Sequence, residues 1–190
     1  MYLRAFKTLV FSSLLLVCCV ALSFDFSNTQ FGLGFISQDV KKMNKSPGGI
    51  SLSAGKIFEI NEMFSTRTSL DFSYLRAKSA LELNGFRVAE STFNDYSYGV
   101  SQRLYFKVPV QLNFKVYGDL GFGISHTVVD FSSVLADRDE EESKNLFFYK
   151  YALGLQLLSQ GGVGGELSLG YKKNKDYKGN YVDISFVYTI

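Results

Sequence analysis

The chain has 190 residues, which sets one domain as the expectation. It carries 20 Lys+Arg against 18 Asp+Glu, with 18 Phe, 12 Tyr, no Trp, two Pro and two Cys. That near-neutral balance gives no case for nucleic-acid binding, and so few cysteines give none for a disulfide framework.

The first 23 residues read as a secretory signal. Arg4 and Lys7 make a positive start, and an apolar run follows from Leu9 to Val20, broken only by Ser12 and Ser13. Ala21-Leu22-Ser23 then offers small residues at the two positions a signal peptidase reads. The run falls short of the roughly 20 apolar residues that a spanning helix needs. A cut after Ser23 divides the chain into a signal peptide, 1–23, and a mature domain, 24–190. It removes Cys18 and Cys19 and leaves 18 charges of each sign. The mature chain then has no thiolate for zinc and no thiol nucleophile. A lipoprotein would keep one cysteine as its anchor, but it wants a small residue just before it, and Val17 or Cys18 stands there.

Eight segments of period two follow in chain order. Phe31, Leu33 and Phe35 oppose Gly32 and Gly34 (29–38). Ile50, Leu52, Ala54 and Phe58 oppose Ser51, Ser53 and Gly55 (48–60). Leu70, Phe72 and Tyr74 oppose Asp71 and Ser73 (66–79). Tyr96, Tyr98, Val100, Leu104 and Phe106 oppose Ser97, Gly99, Ser101 and Arg103 (92–106). Leu112, Phe114, Val116, Leu120, Phe122 and Ile124 oppose Gln111, Asn113, Lys115, Tyr117, Asp119, Gly121, Gly123 and Ser125 (111–127). In the sixth segment, 146–158, Phe147, Tyr149, Tyr151, Leu153, Leu155 and Leu157 oppose Lys150, Ala152, Gly154 and Gln156. A helix is excluded there, because Lys150 would have apolar neighbours three and four positions away on both sides. Phe148 breaks the alternation and is expected near the rim. Leu167, Leu169 and Tyr171 oppose Glu166, Ser168, Gly170 and Lys172 (163–173). Val182, Ile184, Phe186, Tyr188 and Ile190 oppose Asp183, Ser185, Val187 and Thr189 (180–190).

Eight such strands predict an all-β, eight-stranded antiparallel up-and-down barrel. Volume decides which face is outside. An eight-stranded barrel has an interior just wide enough for filling side chains. The apolar faces, mostly Phe, Tyr and Leu, exceed that space, while the Gly- and Ser-rich faces fit it. The apolar face therefore points outward into lipid, and the barrel is transmembrane. Lys150 then faces the lumen; facing lipid at the midplane it would cost about 2–4 kcal/mol. Lys56 falls on the apolar face, explained by snorkelling from a strand end or by a bulge.

These residues resemble the small eight-stranded outer-membrane barrels, the OmpX/Ail and opacity-protein-like group. Val116 to Ser125, VYGDLGFGIS, is similar to that family's glycine-rich fifth strand. NYVDISFVYTI is similar to its C-terminal assembly signal, which implies contact with the outer-membrane assembly machinery. Two departures stand out: the last residue is Ile190 rather than an aromatic, and Tyr and Phe replace girdle tryptophans. With the barrel running to residue 190, no peptidoglycan-binding domain is expected after it. The resemblance implies a bacterial outer-membrane location, with a single chain as the working unit.

The provisional lumen charges are Glu59, Asp71, Asp119, Glu166 and Asp183 against Arg67, Arg103, Lys115, Lys150 and Lys172. Five of each sign suggest internal ion pairs that plug the barrel, since an unpaired buried charge is costly. Three functions stay in view: a non-enzymatic surface barrel for envelope integrity, adhesion or host interaction; a narrow porin-like channel; and a lipid A-modifying enzyme. The enzyme would need a Ser-His-acid group. The single histidine, His126, adjoins Ser125, and neighbouring strand residues point to opposite faces. No catalytic residue, cofactor or metal site is assigned. GGVGG, Gly161 to Gly165, reads as a tight periplasmic turn rather than a phosphate loop.

A periplasmic N-terminus puts the odd connections outside. They are 38–46, a hairpin over Asn84-Gly85, 128–145 with its DRDEEESK run, and 174–180. Strand eight beside strand one gathers Lys41, Lys42, Lys45, Lys173, Lys175 and Lys178 on one side of the mouth. Asp137, Asp139, Glu140, Glu141 and Glu142 lie toward the other. The lysines suit the phosphates of outer-membrane lipids and lipopolysaccharide. The acidic run suits divalent ions or a basic host surface.

Overall fold

The structure is a computed structural model that describes residues 27–40, 45–83, 86–109, 113–133 and 138–190. The expected signal peptide lies outside the described residues, as do Lys41, Lys42, Asn84, Gly85, Gln111, Leu112 and Asp137.

Alternation between large apolar and small or polar residues drives extended structure, because successive side chains leave a strand on opposite faces. Eight strands result: β1 (Thr29–Gln38), β2 (Gly48–Glu59), β3 (Phe64–Leu83), β4 (Phe86–Lys107), β5 (Asn113–Ser133), β6 (Arg138–Leu158), β7 (Val163–Lys173) and β8 (Lys178–Thr189). Each pairs antiparallel with the next, and β1 pairs with β8 from Gln30↔Thr189 to Gln38↔Tyr181. The sheet is thus one closed, up-and-down ring with no free edge along its common belt. Leu33, Leu120, Phe147, Leu153 and Ile184 stand outward and exposed, while Ser69, Ser97, Ser125 and Ser168 are buried inside. This inverts the soluble pattern and makes the ring a transmembrane barrel.

The two ends differ. At one, the turn end, connections are tight. Between β2 and β3 the Asn61 side chain accepts from the backbone N–H groups of Met63 and Phe64, an Asx turn. Between β6 and β7 the turn occupies 159–162, with Gly162 at φ 76° where a side chain would be strained. The GGVGG segment is therefore only half turn; Val163, Gly164 and Gly165 already belong to β7. Lys56 pairs with Thr29 and Thr68 in unbroken register, so no bulge explains it. It sits near this end of β2, where its ammonium has a short path to headgroups.

At the opposite, hairpin end, the strands outrun their sequence-based limits. β3 and β4 extend to the pair Leu83↔Phe86, and β5 and β6 to Ser133↔Arg138. The expected third loop, 128–145, is thus mostly strand, and Glu140, Glu141 and Glu142 lie on β6. Alternation was hidden there because both faces are polar. The fourth connection shrinks to a turn at 174–177, held by the Asn174 side chain accepting from the N–H groups of Asp176 and Tyr177.

Candidate functional site: a plugged lumen beneath an open vestibule

From the turn end upward, the lumen fills in layers. Lowest, Arg103 on β4 donates from Nη1 to Glu166 at 2.6 Å and from Nε to Asp119 at 3.4 Å. Its guanidinium lies 4.4 Å from the Tyr117 ring centroid. The Tyr105 hydroxyl reaches both Glu166 and Gln30, and Gln156 donates to Glu166 at 2.5 Å. A Cβ at Gly154 would clash with the Tyr117 ring, so the glycine makes room for it. Arg67, directly opposite Arg103 on β3, is fully buried. It donates to Ser53 Oγ at 2.9 Å and Gln30 O at 3.3 Å, and it has no carboxylate partner among the described residues.

In the middle, Lys150 Nζ lies 2.7 Å from Asp71 and 3.7 Å from Asp119. Gly121 leaves the space its stem uses. A cavity of only about 60 Å³ remains here, lined by Ser51, Ser53, Asp71 and Asp183 among others. Asp183 accepts from Ser185 and forms no ion pair among the described residues.

Above that lies a centre that sequence reasoning missed. Asp95 accepts from Lys172 at 3.0 Å, Thr127 at 2.9 Å, Ser97 at 2.8 Å and Ser125 at 2.5 Å. The signal was available: Asp95 continues the inward parity of Ser97, Gly99, Ser101 and Arg103. Phe148, expected at the rim, is instead buried in the lumen, with Lys172 Nζ 4.6 Å from its ring centroid. Of the remaining provisional lumen charges, Lys115 lies 5.5 Å from the Tyr105 ring centroid and Glu59 is exposed at the turn end.

Phe93 and Tyr177 close this stack edge to face, 5.8 Å apart at 86°, packed with Val40 and Ala77. Burial pushes the Tyr177 phenol pKa up. Over them opens a vestibule of about 400 Å³, walled by Ser79, Ser91, Thr127, Val129 and Leu146. Its rim carries Lys45, Glu142, Lys144 and Asp176. Lys144 lies 2.7 Å from Glu142 and 3.6 Å from Asp176. The Glu142 carboxylate hydrogen-bonded to it raises the Lys144 pKa.

On the outward face, cross-strand rows on β3–β6 mark where lipid ends. The row Phe72, Tyr98, Ile124, Phe147 is apolar. The next, Tyr74, Tyr96, His126, Asn145, is aromatic and polar, with Tyr74 and Tyr96 stacked at 4.9 Å and His126 Nδ1 2.8 Å from Asn145 Oδ1. Beyond it come Arg76, Asn94, Val128, Ser143 and then Lys78, Thr92, Asp130, Glu141. His126 thus belongs to an interfacial row, while Ser125 is turned inward to Asp95, so the two cannot form a catalytic dyad.

Toward the hairpin end β3 to β6 outrun their ring neighbours, β3 just above the interfacial row and β6 already below it, at Tyr149. β2 stops pairing with β3 at Gly48↔Arg76, and β7 stops pairing with β6 at Tyr149↔Lys173. A four-stranded wing results, edged by 77–83 of β3 and 138–148 of β6. Across the mouth, Lys173 and Lys178 face one another on β7 and β8, with Lys175 in the turn between them and Lys45 on the β1–β2 connection, all exposed. The Tyr151 and Tyr171 rings, 5.5 Å apart, sit just below on the lipid face.

No family model and no curated protein sequence matches the chain. Solved structures do. Ail, the attachment invasion locus protein of Yersinia pestis, crystallised with the heparin analogue sucrose octasulfate, superposes with a TM-score of 0.59 at 22% identity over 85% of this chain and 97% of that one. Neisserial surface protein A gives 0.56 at 15% identity over 85% and 96%. The chain has the fold of the small eight-stranded outer-membrane barrels, closed around its own polar lumen.

Proposed function

We propose that this chain is a non-enzymatic integral protein of the bacterial outer membrane, exported by its first 23 residues, which acts through its hairpin end as a monomer. The observation that carries the reading is the contrast between a lumen filled by ion pairs and a wing that stands free of the membrane. The filled lumen argues for a scaffold rather than a pore. The wing supplies a polar sheet with two edges unpaired among the described residues, to which an extended segment of a host surface protein can add.

The lysines at the lower lip have a second role in this reading. Lys173, Lys175, Lys178 and Lys45, joined in sequence by Lys41 and Lys42, hold the phosphates of lipopolysaccharide or the sulfates of a host polysaccharide. That Ail was crystallised with a heparin analogue supports polyanion capture at this end. Two measurements test the proposal. Planar-bilayer recordings of the purified, heat-modifiable protein are expected to show no steady nanosiemens conductance, and such a pore would overturn it in favour of the channel. Bacteria displaying the protein should bind host cells or heparin, and exchanging 76–94 and 128–145 for short turns, or the lysines for glutamine, should remove that binding. Unchanged binding by both variants would leave the hairpin end without the proposed role.

A further inference from the structure

We propose that the vestibule is a binding site for a small apolar monocation, an aromatic or alkyl amine, separate from any macromolecule the wing meets. Its volume, about 400 Å³, lies in the range of small-molecule sites, and barrel mouths are among the places where such sites form. Its base is apolar: Phe93, Tyr177, Val40 and Ala77 pack into one cluster with Val129 against it. The base is also rigid. The Tyr177 hydroxyl lies 2.9 Å from Ser125 Oγ, which donates to Asp95, so the floor is tied to the buried Asp95–Lys172 pair.

The rim selects the charge. Glu142 on β6 and Asp176 in the β7–β8 turn converge on the single ammonium of Lys144. Glu140 lies on the same face of β6, two residues beyond. Lys172 beneath the floor is already committed to Asp95. All three partners of the rim ion pairs are solvent-exposed, with Lys144 at 48%, Glu142 at 69% and Asp176 at 41%, so the pairs are weak. An incoming ammonium can take the place of Lys144 between the two carboxylates while its apolar body enters the bowl. Lys144, swung outward, loses little. Among the described lining residues, an anion would find two cations, Lys144 and Lys45, the first already bracketed by acid.

The test uses the full barrel in lipid nanodiscs and three probes of one size: phenethylamine, 2-phenylethanol and phenylacetate. Amide and methyl NMR shifts at Ala77, Val129 and Leu146 should saturate with phenethylamine and require at least tenfold more phenylacetate. The double variant Glu142→Gln, Asp176→Asn, altered only at exposed positions, should bring amine and acid within about twofold of each other. Ala77→Phe, which fills the bowl, should abolish the shifts while the protein remains heat-modifiable. The proposal fails if all three probes act equally. It fails too if shifts appear only on the lipid-facing Phe72 and Tyr98 row, or if the double variant keeps the preference for the amine.

Discussion

β6 is two strands in one. Below Tyr149 it has a neighbour on each side, β5 and β7, and its residues alternate between lipid and lumen. Above Tyr149 it keeps only β5 among the described residues, and from Asn145 outward the same alternation carries glutamate and lysine on one face and glutamate, serine and asparagine on the other. The backbone does not change; the medium does. In lipid every N–H and C=O must pair within the ring, so β6 needs both neighbours. In water an edge can be left open, provided its side chains discourage chance pairing.

The largest effects should come from exchanging residues across the lower half. Lys150→Leu removes the cation of Asp71 and leaves Asp119 with Arg103 alone, so the Asp71 carboxylate stays in the lumen with no ion-pair partner among the described residues. Such a loss is expected to cost about 3–5 kcal/mol. Leu153→Lys, three residues on and outward at 71% exposure, puts a charge into hydrocarbon for about 2–4 kcal/mol. Both are read as lowered urea midpoints for the unfolding of the barrel in lipid vesicles. The rescue distinguishes them: Asp71→Leu should recover most of the first loss and none of the second. A tolerated Leu153→Lys would mean that this face does not meet lipid.

This difference also explains what was legible in the sequence. Where one face meets lipid, large and small residues alternate visibly, and β1 and β7 match their expected limits residue for residue. The wing did not announce itself. Its rows such as Lys78, Thr92, Asp130, Glu141 look like loop, because a sheet with water on its outer face and a vestibule on its inner face needs no apolar contrast. Composition could balance the lumen charges, but it could not say which of them meet. Arg67 and Arg103 are alike in sequence and directly opposed in register, yet the carboxylates of Glu166 and Asp119 gather around Arg103 alone. Asp119 is the cross-strand neighbour of Arg103 on β5, whereas Glu166 reaches it from β7 across the lumen, a contact that only the closed ring makes.

Phe148 stands at the join and should give an intermediate effect. Its ring is inside the lumen, where an alternation read from lipid contact alone places a small residue. The ring faces the ammonium of Lys172, whose carboxylate partner is Asp95. Phe148→Leu keeps apolar bulk and removes the π face, so the loss should be about 1 kcal/mol. Phe148→Ala should lose about 3 kcal/mol or more through the cavity it leaves. No loss for Phe148→Leu beside a large loss for Phe148→Ala would assign the ring a packing role only and leave the contact with Lys172 without energetic weight.

The smallest effect on stability belongs to the upper half, and there it separates from association. Changing Glu140, Glu141 and Glu142 together to glutamine touches no buried pair of the lumen, so each position should stay within about 0.5 kcal/mol. The edge of β6 from 138 to 148 has no strand of the described residues on its β7 side, and it is long enough to template another. Three consecutive glutamates make two such edges repel. Their neutralisation should therefore leave the unfolding midpoint in place while chemical cross-linking in nanodiscs detects pairs of barrels that the parent chain does not form. If the triple variant stays uncrosslinked at every protein-to-lipid ratio, the charges are not what keeps the edge open, and its twist or the β7–β8 turn beside it must do so instead.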